Sequence, residues 1–316
     1  MSRIRAIVVD PAAHGRLELD EVDAPVPLPG EALVRVAATS LNRGELRRAV
    51  GAEAGWRPGW DLAGTVEACA ADGAGPPVGA RVVGVLGSSG AWAEVVAVPT
   101  QNLAVLPDAV SFAQAATLPV AGLTALRTLA RGGLLLGEAV LVTGASGGVG
   151  HFMCQIAQQA GALVVAAVSR QEQATAVRED GAHEVVFGED LAGAEAFAPY
   201  HHIVDSIGGR TLPAALKLLA PDGECVMFGT TAAPDIAFDG RGFYLIGGAR
   251  LYGFILFHEL ERQPGAADLG RLARLVADGR LRPRIDLEAP WTEIASVSQR
   301  LLDRQISGKA VLHFTG

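Results

Sequence analysis

Leu141-Val-Thr-Gly-Ala-Ser-Gly-Gly-Val-Gly150 is an apolar run that breaks into glycines, then resumes as a helical pattern of apolar residues at Val149, Phe152, Met153 and Ile156. The spacing is that of G-x-G-x-x-G, with Ala145 at the first glycine followed by Gly147 and Gly150. Each position has a physical task in a dinucleotide site: the chain turns sharply, Gly147 lets a pyrophosphate approach the backbone, and Gly150 lets helix and strand pack closely. The amides of Ser146, Gly147, Gly148 and Val149 then meet phosphate oxygens at the positive end of a helix. A strand before and a helix after are the context that separates this motif from an ordinary tight turn.

Working outward, apolar strands alternate with helices across 113–256. Strands are predicted at 139–142, 163–168, 184–187, 202–205, 224–228 and 250–254, and helices at 115–130, 148–160 and 171–180. The strands are apolar throughout, as expected when both faces of a parallel sheet are covered. This is a doubly wound α/β pattern. The region before it, 1–112, has a different period. Short alternating segments at 3–9, 31–38, 62–68, 81–85 and 91–98 are separated by turn signals such as Pro29-Gly30 and Asp72-Gly73, which reads as a β-rich unit. The last stretch, 257–316, carries helices at 267–278 and 292–303 and strands near 284–287 and 310–314. It is too small for a core of its own and is expected to pack back on the first unit.

Composition limits the function classes. The 316 residues are 50% hydrophobic and 19% charged, so a large core is available and general disorder is excluded. The net charge of −8 argues against a nucleic-acid binder, which presents a basic face. No long uncharged apolar run predicts a membrane span. Cys69, Cys154 and Cys225 are far apart and form no CxxC pair, so a reducing, cytoplasmic setting is expected.

The turn also fits Thr143-Gly-x-x-x-Gly-x-Gly150, a pattern shared by reductases that use a Tyr-x-x-x-Lys pair for acid–base work. The chain has two lysines. Four residues before Lys217 stands Pro213, and four before Lys309 stands Gln305, so that chemistry is excluded. The end of the second strand, Val168-Ser169-Arg170, offers a hydroxyl and a guanidinium where NAD sites place an acid for the ribose. Ser169 and Arg170 suit a 2′-phosphate, so NADPH is the expected cofactor.

Several further motifs stand in a telling order: Pro58-Gly-Trp-Asp-Leu-Ala-Gly-Thr-Val66, Val78-Gly-Ala-Arg-Val-Val-Gly84, Ala115-Ala-Thr-Leu-Pro-Val-Ala-Gly-Leu-Thr-Ala125, Val204-Asp-Ser-Ile-Gly-Gly209 and Gly308-Lys-Ala-Val-Leu312. Together with the glycine turn, this order resembles the medium-chain dehydrogenase/reductase superfamily, in its zinc-independent quinone oxidoreductase and enoyl reductase branch. The resemblance covers nearly the whole chain. It implies a discontinuous GroES-like catalytic domain, 1–112 plus 257–316, with a Rossmann dinucleotide-binding domain, 113–256, inserted. It also implies a homodimer paired through the last Rossmann strand.

Residue by residue, the resemblance makes Asn42 the catalytic candidate. It places Thr124, Phe228, Gly229, Phe254, Leu256 and Lys309 around the nicotinamide half of the cofactor. Glu45 stands where the branch usually has Asp, and Gln173 where it often has Lys. A second reading of Asn42 needs no resemblance: Asn is a favoured N-cap, here for a helix starting near Arg43. Zinc members carry His in the stretch that here reads Gly59-Trp60-Asp61, and Cys in the loop that here reads Leu41-Asn42-Arg43, so no metal is expected.

The expected activity is NADPH-dependent hydride transfer to a quinone or an α,β-unsaturated carbonyl, a small-molecule substrate. The alternatives are a narrow biosynthetic enoyl or keto reductase acting on one pathway intermediate, and a non-catalytic NADPH-binding sensor or structural protein.

Overall fold

A computed structural model describes residues 2–314. The chain divides into two compact units, Met1–Leu123 with Phe257–Gly316, and Thr124–Leu256.

The first unit opens with the antiparallel pair β1 (Arg3–Val9) and β2 (Leu17–Asp23). Next come β3 (Glu31–Ser40), α1 (Arg43–Gly51), β4 (Asp61–Ala68), β5 (Arg81–Val85), β6 (Val95–Pro99), β7 (Leu103–Val105) and α2 (Phe112–Ala116). This unit runs on to Leu123, past the expected 112, because α2 packs against β3 and β4. The helix expected over 115–130 is divided. After α2, residues Leu118–Gly122 form a turn of π-helix, and only then does α3 (Leu123–Ala130) begin. Pro119 explains the break, since it has no N–H to continue the ladder.

The second unit contains β8 (Ala139–Thr143), α4 (Gly150–Gln159), β9 (Leu163–Val168), α5 (Ala174–Glu179), β10 (Glu184–Phe187), β11 (Tyr200–Asp205), α6 (Thr211–Leu216), β12 (Leu219–Met227), α7 (Gly240–Leu245) and β13 (Arg250–Gly253). Its six strands lie in the order β10-β9-β8-β11-β12-β13, all parallel. Leu141, Val165, Ile203 and Cys225 fill its core. The winding reverses between β8 and β11, so the crevice at their carboxyl ends is where a doubly wound sheet binds ligands.

The chain then returns through α8 (Leu256–Arg262), α9 (Ala266–Ala277), β14 (Ile285–Pro290), α10 (Ile294–Leu302) and β15 (Lys309–His313). β15 pairs antiparallel with β3 and parallel with β14, which closes the seven-stranded sheet of the first unit. The expected return of the last segment is thus realised as a strand insertion. Trp92, Trp291 and Leu46 anchor one core there, and Val34, Leu62 and Val82 a second. β2 gave little signal in sequence because its outward positions, Glu18, Asp20 and Glu21, are acids that resemble a loop. No helix among the described residues is long and apolar enough to cross a membrane.

Candidate active site

In the Rossmann unit, the glycine turn leads from β8 into α4. The Gly147 N–H closes on Gly144 O at 3.0 Å, and the first helical bond is His151 N–H to Gly147 O at 3.1 Å. The amides of Gly148, Val149 and Gly150 therefore precede the helical ladder at the positive end of α4. A Cβ on Gly150 would stand 2.4 Å from Gly144 O and 2.6 Å from Ala145 Cα, so helix and strand approach as closely as a dinucleotide turn requires. These features fit a dinucleotide.

The β8–β11 junction is tied by side chains. Thr143 Oγ1 donates to Asp205 Oδ1 at 2.6 Å, and the Gly208 N–H donates to Asp205 Oδ2 at 2.9 Å. The Ser206 N–H donates to Thr143 Oγ1 at 3.1 Å. Burial raises the Asp205 carboxyl above its ordinary range, and the donors from Thr143, Gly208 and Ile207 oppose that rise.

Ser169 and Arg170 follow β9 and are exposed. Ser169 Oγ donates to Gln173 Oε1 at 3.3 Å, and the Arg170 backbone N–H donates to the same oxygen at 3.2 Å. Phe228 and Gly229 follow β12, with the Phe228 N–H on Asp205 O at 2.9 Å. Phe254 follows β13, its N–H on Met227 O at 2.8 Å. The sheet thus brings Ser146, Gly147, Gly148, Val149, Ser169, Arg170, Phe228, Gly229 and Phe254 to one edge, at successive carboxyl ends. Thr124 and Leu256 mark the two ends of the unit and are both buried.

Asn42 and Lys309 belong to the GroES-like unit and meet there. Lys309 is 3% exposed. Its Nζ donates to Asn42 Oδ1 at 2.7 Å and to Leu41 O at 3.1 Å, and it lies 3.6 Å from Asp61 Oδ2. Asn42 Nδ2 donates to Asp61 Oδ2 at 2.8 Å and to Glu45 Oε1 at 3.2 Å. Asp61 also accepts from Ser40 Oγ, and from the Val120 N–H at 2.8 Å. The π turn around Pro119 presents that N–H to Asp61.

Asn42 is the N-cap of α1, as its second reading anticipated. The Asn42 backbone N–H donates to Glu45 Oε1 at 2.6 Å, the reciprocal arm of a capping box. Glu45, Asp61 and Ser40 were not site candidates in the sequence, although the Asn42-x-x-Glu45 spacing is itself a capping-box signal. Lys309 is not an exposed cation; its ammonium is engaged by Leu41, Asn42 and Asp61.

Glu45, Asp61 and Lys309 are buried while Asn42 is half-buried, and the two carboxyls have unequal partners. Burial, followed by the nearby Asp61, raises the Glu45 carboxyl well above its ordinary range, against the pull of Asn42 and Lys309. Among the described residues Glu45 Oε2 has no hydrogen-bond partner. Burial lowers the Lys309 ammonium, and Asp61 and Glu45 resist that shift.

With this geometry in hand, similarity to known proteins is informative. The alcohol dehydrogenase GroES-like domain matches residues 28–108, and the zinc-binding dehydrogenase domain matches residues 148–271. The quinone oxidoreductase of Pseudomonas aeruginosa is 34% identical over 243 residues, 71% of this chain and 73% of that protein. The chain belongs to the medium-chain dehydrogenase/reductase superfamily.

Within the superfamily it falls in the quinone oxidoreductase branch, and it is an oxidoreductase of a nicotinamide-dependent family. The solved quinone oxidoreductase of Coxiella burnetii superimposes with a TM-score of 0.86 at 25% identity, covering 99% of this chain and 100% of that one. The spectinabilin polyketide synthase system protein NorB of Streptomyces orinoci is 33% identical over 289 residues, 87% of this chain but 13% of that protein. This member of the superfamily thus spans a small part of one relative and nearly the full length of another.

The name of one matched domain raises zinc. Among the described residues no three His, Cys, Asp or Glu side chains are grouped to hold a metal ion. Asp61 is engaged by Ser40, Asn42 and Val120, while Cys69 is exposed and Cys154 and Cys225 lie buried in the other unit. The residues present do not make a zinc site, which needs three nitrogen, sulfur or oxygen ligands in one place.

Proposed function

We propose that this chain is an NADPH-dependent, zinc-independent reductase of quinones or α,β-unsaturated carbonyls. The observation that carries the cofactor choice is Ser169-Arg170 at the end of β9. The Arg170 guanidinium has no hydrogen bond or ion pair to the protein among the described residues, and neither of the two residues that follow β9 is an acid, Glu172 standing two positions further on in the first helical turn. A free guanidinium beside a hydroxyl matches a 2′-phosphate. Similarity to quinone oxidoreductases supports the acceptor class.

The bound nucleotide supplies the hydride equivalent. The chain's own part is positioning and charge. The amides of Gly148, Val149 and Gly150 hold the pyrophosphate at the head of α4, with Ser146 and Gly147 forming the turn that lets it approach. Ser169 and Arg170 hold the 2′-phosphate. Thr124, Phe228, Gly229, Phe254 and Leu256 shape the nicotinamide end.

Reduction of a conjugated carbonyl builds negative charge on its oxygen, which fixed donors stabilise. Asn42 is the side-chain donor in this proposal. The N–H it would turn to that oxygen is the one now 3.2 Å from Glu45, the longer of its two bonds. Lys309 enters as the group that holds Asn42 and its loop.

The homodimer belongs to the same proposal. β13 is a sheet edge in the Rossmann unit, and Tyr244, Leu245, Leu251 and Ile255 are exposed on or near it. A bare apolar edge favours pairing. The three cysteines are free thiols, in keeping with a cytoplasmic setting.

The test is NADPH oxidation with a panel of quinones and enones, followed at the reduced-nicotinamide band and repeated with NADH. Turnover that prefers NADPH is expected. Tight NADPH binding with no turnover on any acceptor would overturn the proposal. A narrower reading, reduction of a single biosynthetic intermediate, is favoured by the similarity to the spectinabilin polyketide synthase protein. It is distinguished by turnover on one elaborated enone and on none of the simple acceptors.

A further inference from the structure

The GroES-like unit contains a cleft of about 400 Å³ that is separate from the Asn42–Lys309 cluster. It is lined by Trp56, Arg57, Leu86, Ser88, Ser89 and Val96, with Pro25, Gly55, Gly90 and Ala97 completing its wall. In a chain of net charge −8, the lining has one cation, two hydroxyls and no carboxylate.

Arg57 is the unusual member. It is half-buried, and burial lowers its pKa from the ordinary arginine value. Among the described residues its guanidinium makes no hydrogen bond or ion pair, and its Nε is buried without a partner. Desolvating a charge with no compensating acceptor is costly, and a buried polar atom left unpaired calls for an explanation. Ser89 Oγ, on the opposite loop, is buried and unpaired too, and Ser89 holds a φ of 71°. Left-handed backbone at a non-glycine residue costs free energy and is often kept at ligand sites. Arg48, 5.1 Å over the Trp56 ring, adds a second cation beside the cleft.

The cleft is also preformed. The Gly90 N–H and the Trp92 N–H both donate to Pro58 O, at 3.2 and 3.3 Å, and the Leu86 N–H donates to Trp60 O at 2.8 Å. The Trp56 side is fixed to β1 by Val9 N–H to Trp56 O at 2.9 Å and Gly55 N–H to Val9 O at 2.8 Å. Both walls are therefore held by backbone, so little ordering remains for a ligand to supply.

We propose that this cleft is a binding site for the anionic group of a small molecule, a carboxylate or a phosphate, which takes Arg57 as its counter-ion with the Ser88–Ser89 loop beside it. A planar guanidinium matches either anion through paired N–H donors. The assignment does not rest on the acceptor proposed above, and its test needs no turnover.

The test titrates the full chain with sodium phosphate and, separately, sodium acetate, with ionic strength held constant by sodium chloride. The readouts are tryptophan emission and the thermal unfolding midpoint, and Trp56→Phe assigns the emission change. Saturable binding is expected in the wild type. Arg57→Gln is expected to weaken it about tenfold or more, the loss of a charge-assisted hydrogen bond. Without anion, Arg57→Gln should unfold no earlier than the wild type, because it removes a charge that no described residue compensates. Preference for phosphate or for acetate tells which anion the site takes. Absence of saturable binding, or equal binding by Arg57→Gln, would overturn the proposal.

Discussion

Lys309 Nζ lies 2.7 Å from Asn42 Oδ1, a bond between residues 267 positions apart in the chain. It exists because β15 inserts beside β3, where the Leu41 N–H donates to Ala310 O at 3.0 Å. The C-terminal strand thereby holds the loop that carries the catalytic candidate.

Removing that ammonium should be expensive. Lys309→Ala leaves the buried Asp61 carboxylate without its cation, and breaking one side of a buried ion pair costs about 3–5 kcal/mol. Urea unfolding should show a loss of that size. A loss below about 1 kcal/mol would place the ammonium outside the energetics of the cluster.

Glu45 should make stability depend on pH. Its folded-state pKa is raised well above 4.5, so above that pH the folded chain keeps a proton that the unfolded chain has lost. The native state binds more protons there, and stability falls as pH rises from the ordinary carboxylate range through the raised value. Glu45→Gln is neutral throughout and should flatten this decline. Unfolding midpoints measured across the range would run parallel in the two proteins if Glu45 were ionised in the fold.

Gly150→Ala adds a Cβ 2.4 Å from Gly144 O. Helix and strand must move apart, with an overpacking cost of about 1–3 kcal/mol, and NADPH affinity should fall with it. Calorimetric titration beside urea unfolding reads both effects. Unchanged stability would mean that the turn yields freely.

Arg170→Ala should weaken NADPH binding about tenfold or more, the loss of a charge-assisted contact, and leave NADH binding unchanged. Equal losses for the two nucleotides would assign Arg170 a role other than phosphate recognition.

Leu251→Arg puts a charge on the β13 edge, where Leu251 is 37% exposed. If the edge pairs with a second copy, sedimentation should show the wild type as a dimer and the variant shifted to monomer. A variant that sediments like the wild type would remove β13 from the interface.

The Rossmann unit was legible in sequence because its signals are local. Apolar strands such as Leu163–Val168 mark a sheet covered on both faces, and the glycines after Leu141 mark a turn whose sterics are set within ten residues. The two-lysine count excluded a Tyr-x-x-x-Lys pair without a structure. The elements that escaped were short or disguised: β2 by its outward acids, the three-residue β7, α6, whose six residues include Pro213, and the short helices α7 and α8.

The sequence alone pointed to a doubly wound sheet with a dinucleotide turn, a β-rich partner unit closed by the C-terminal segment, and a stretch Gly59-Trp60-Asp61 without the His of zinc members. The tertiary structure decided what Asn42, Glu45, Asp61 and Lys309 are to one another. It also left Arg57 half-buried with no counter-ion among the described residues. Strand and turn patterns are written in neighbouring residues. The protonation of Glu45 and the pairing of Lys309 depend on desolvation and on partners brought together from β3, β4 and β15, and those distances arise only when the sheet closes.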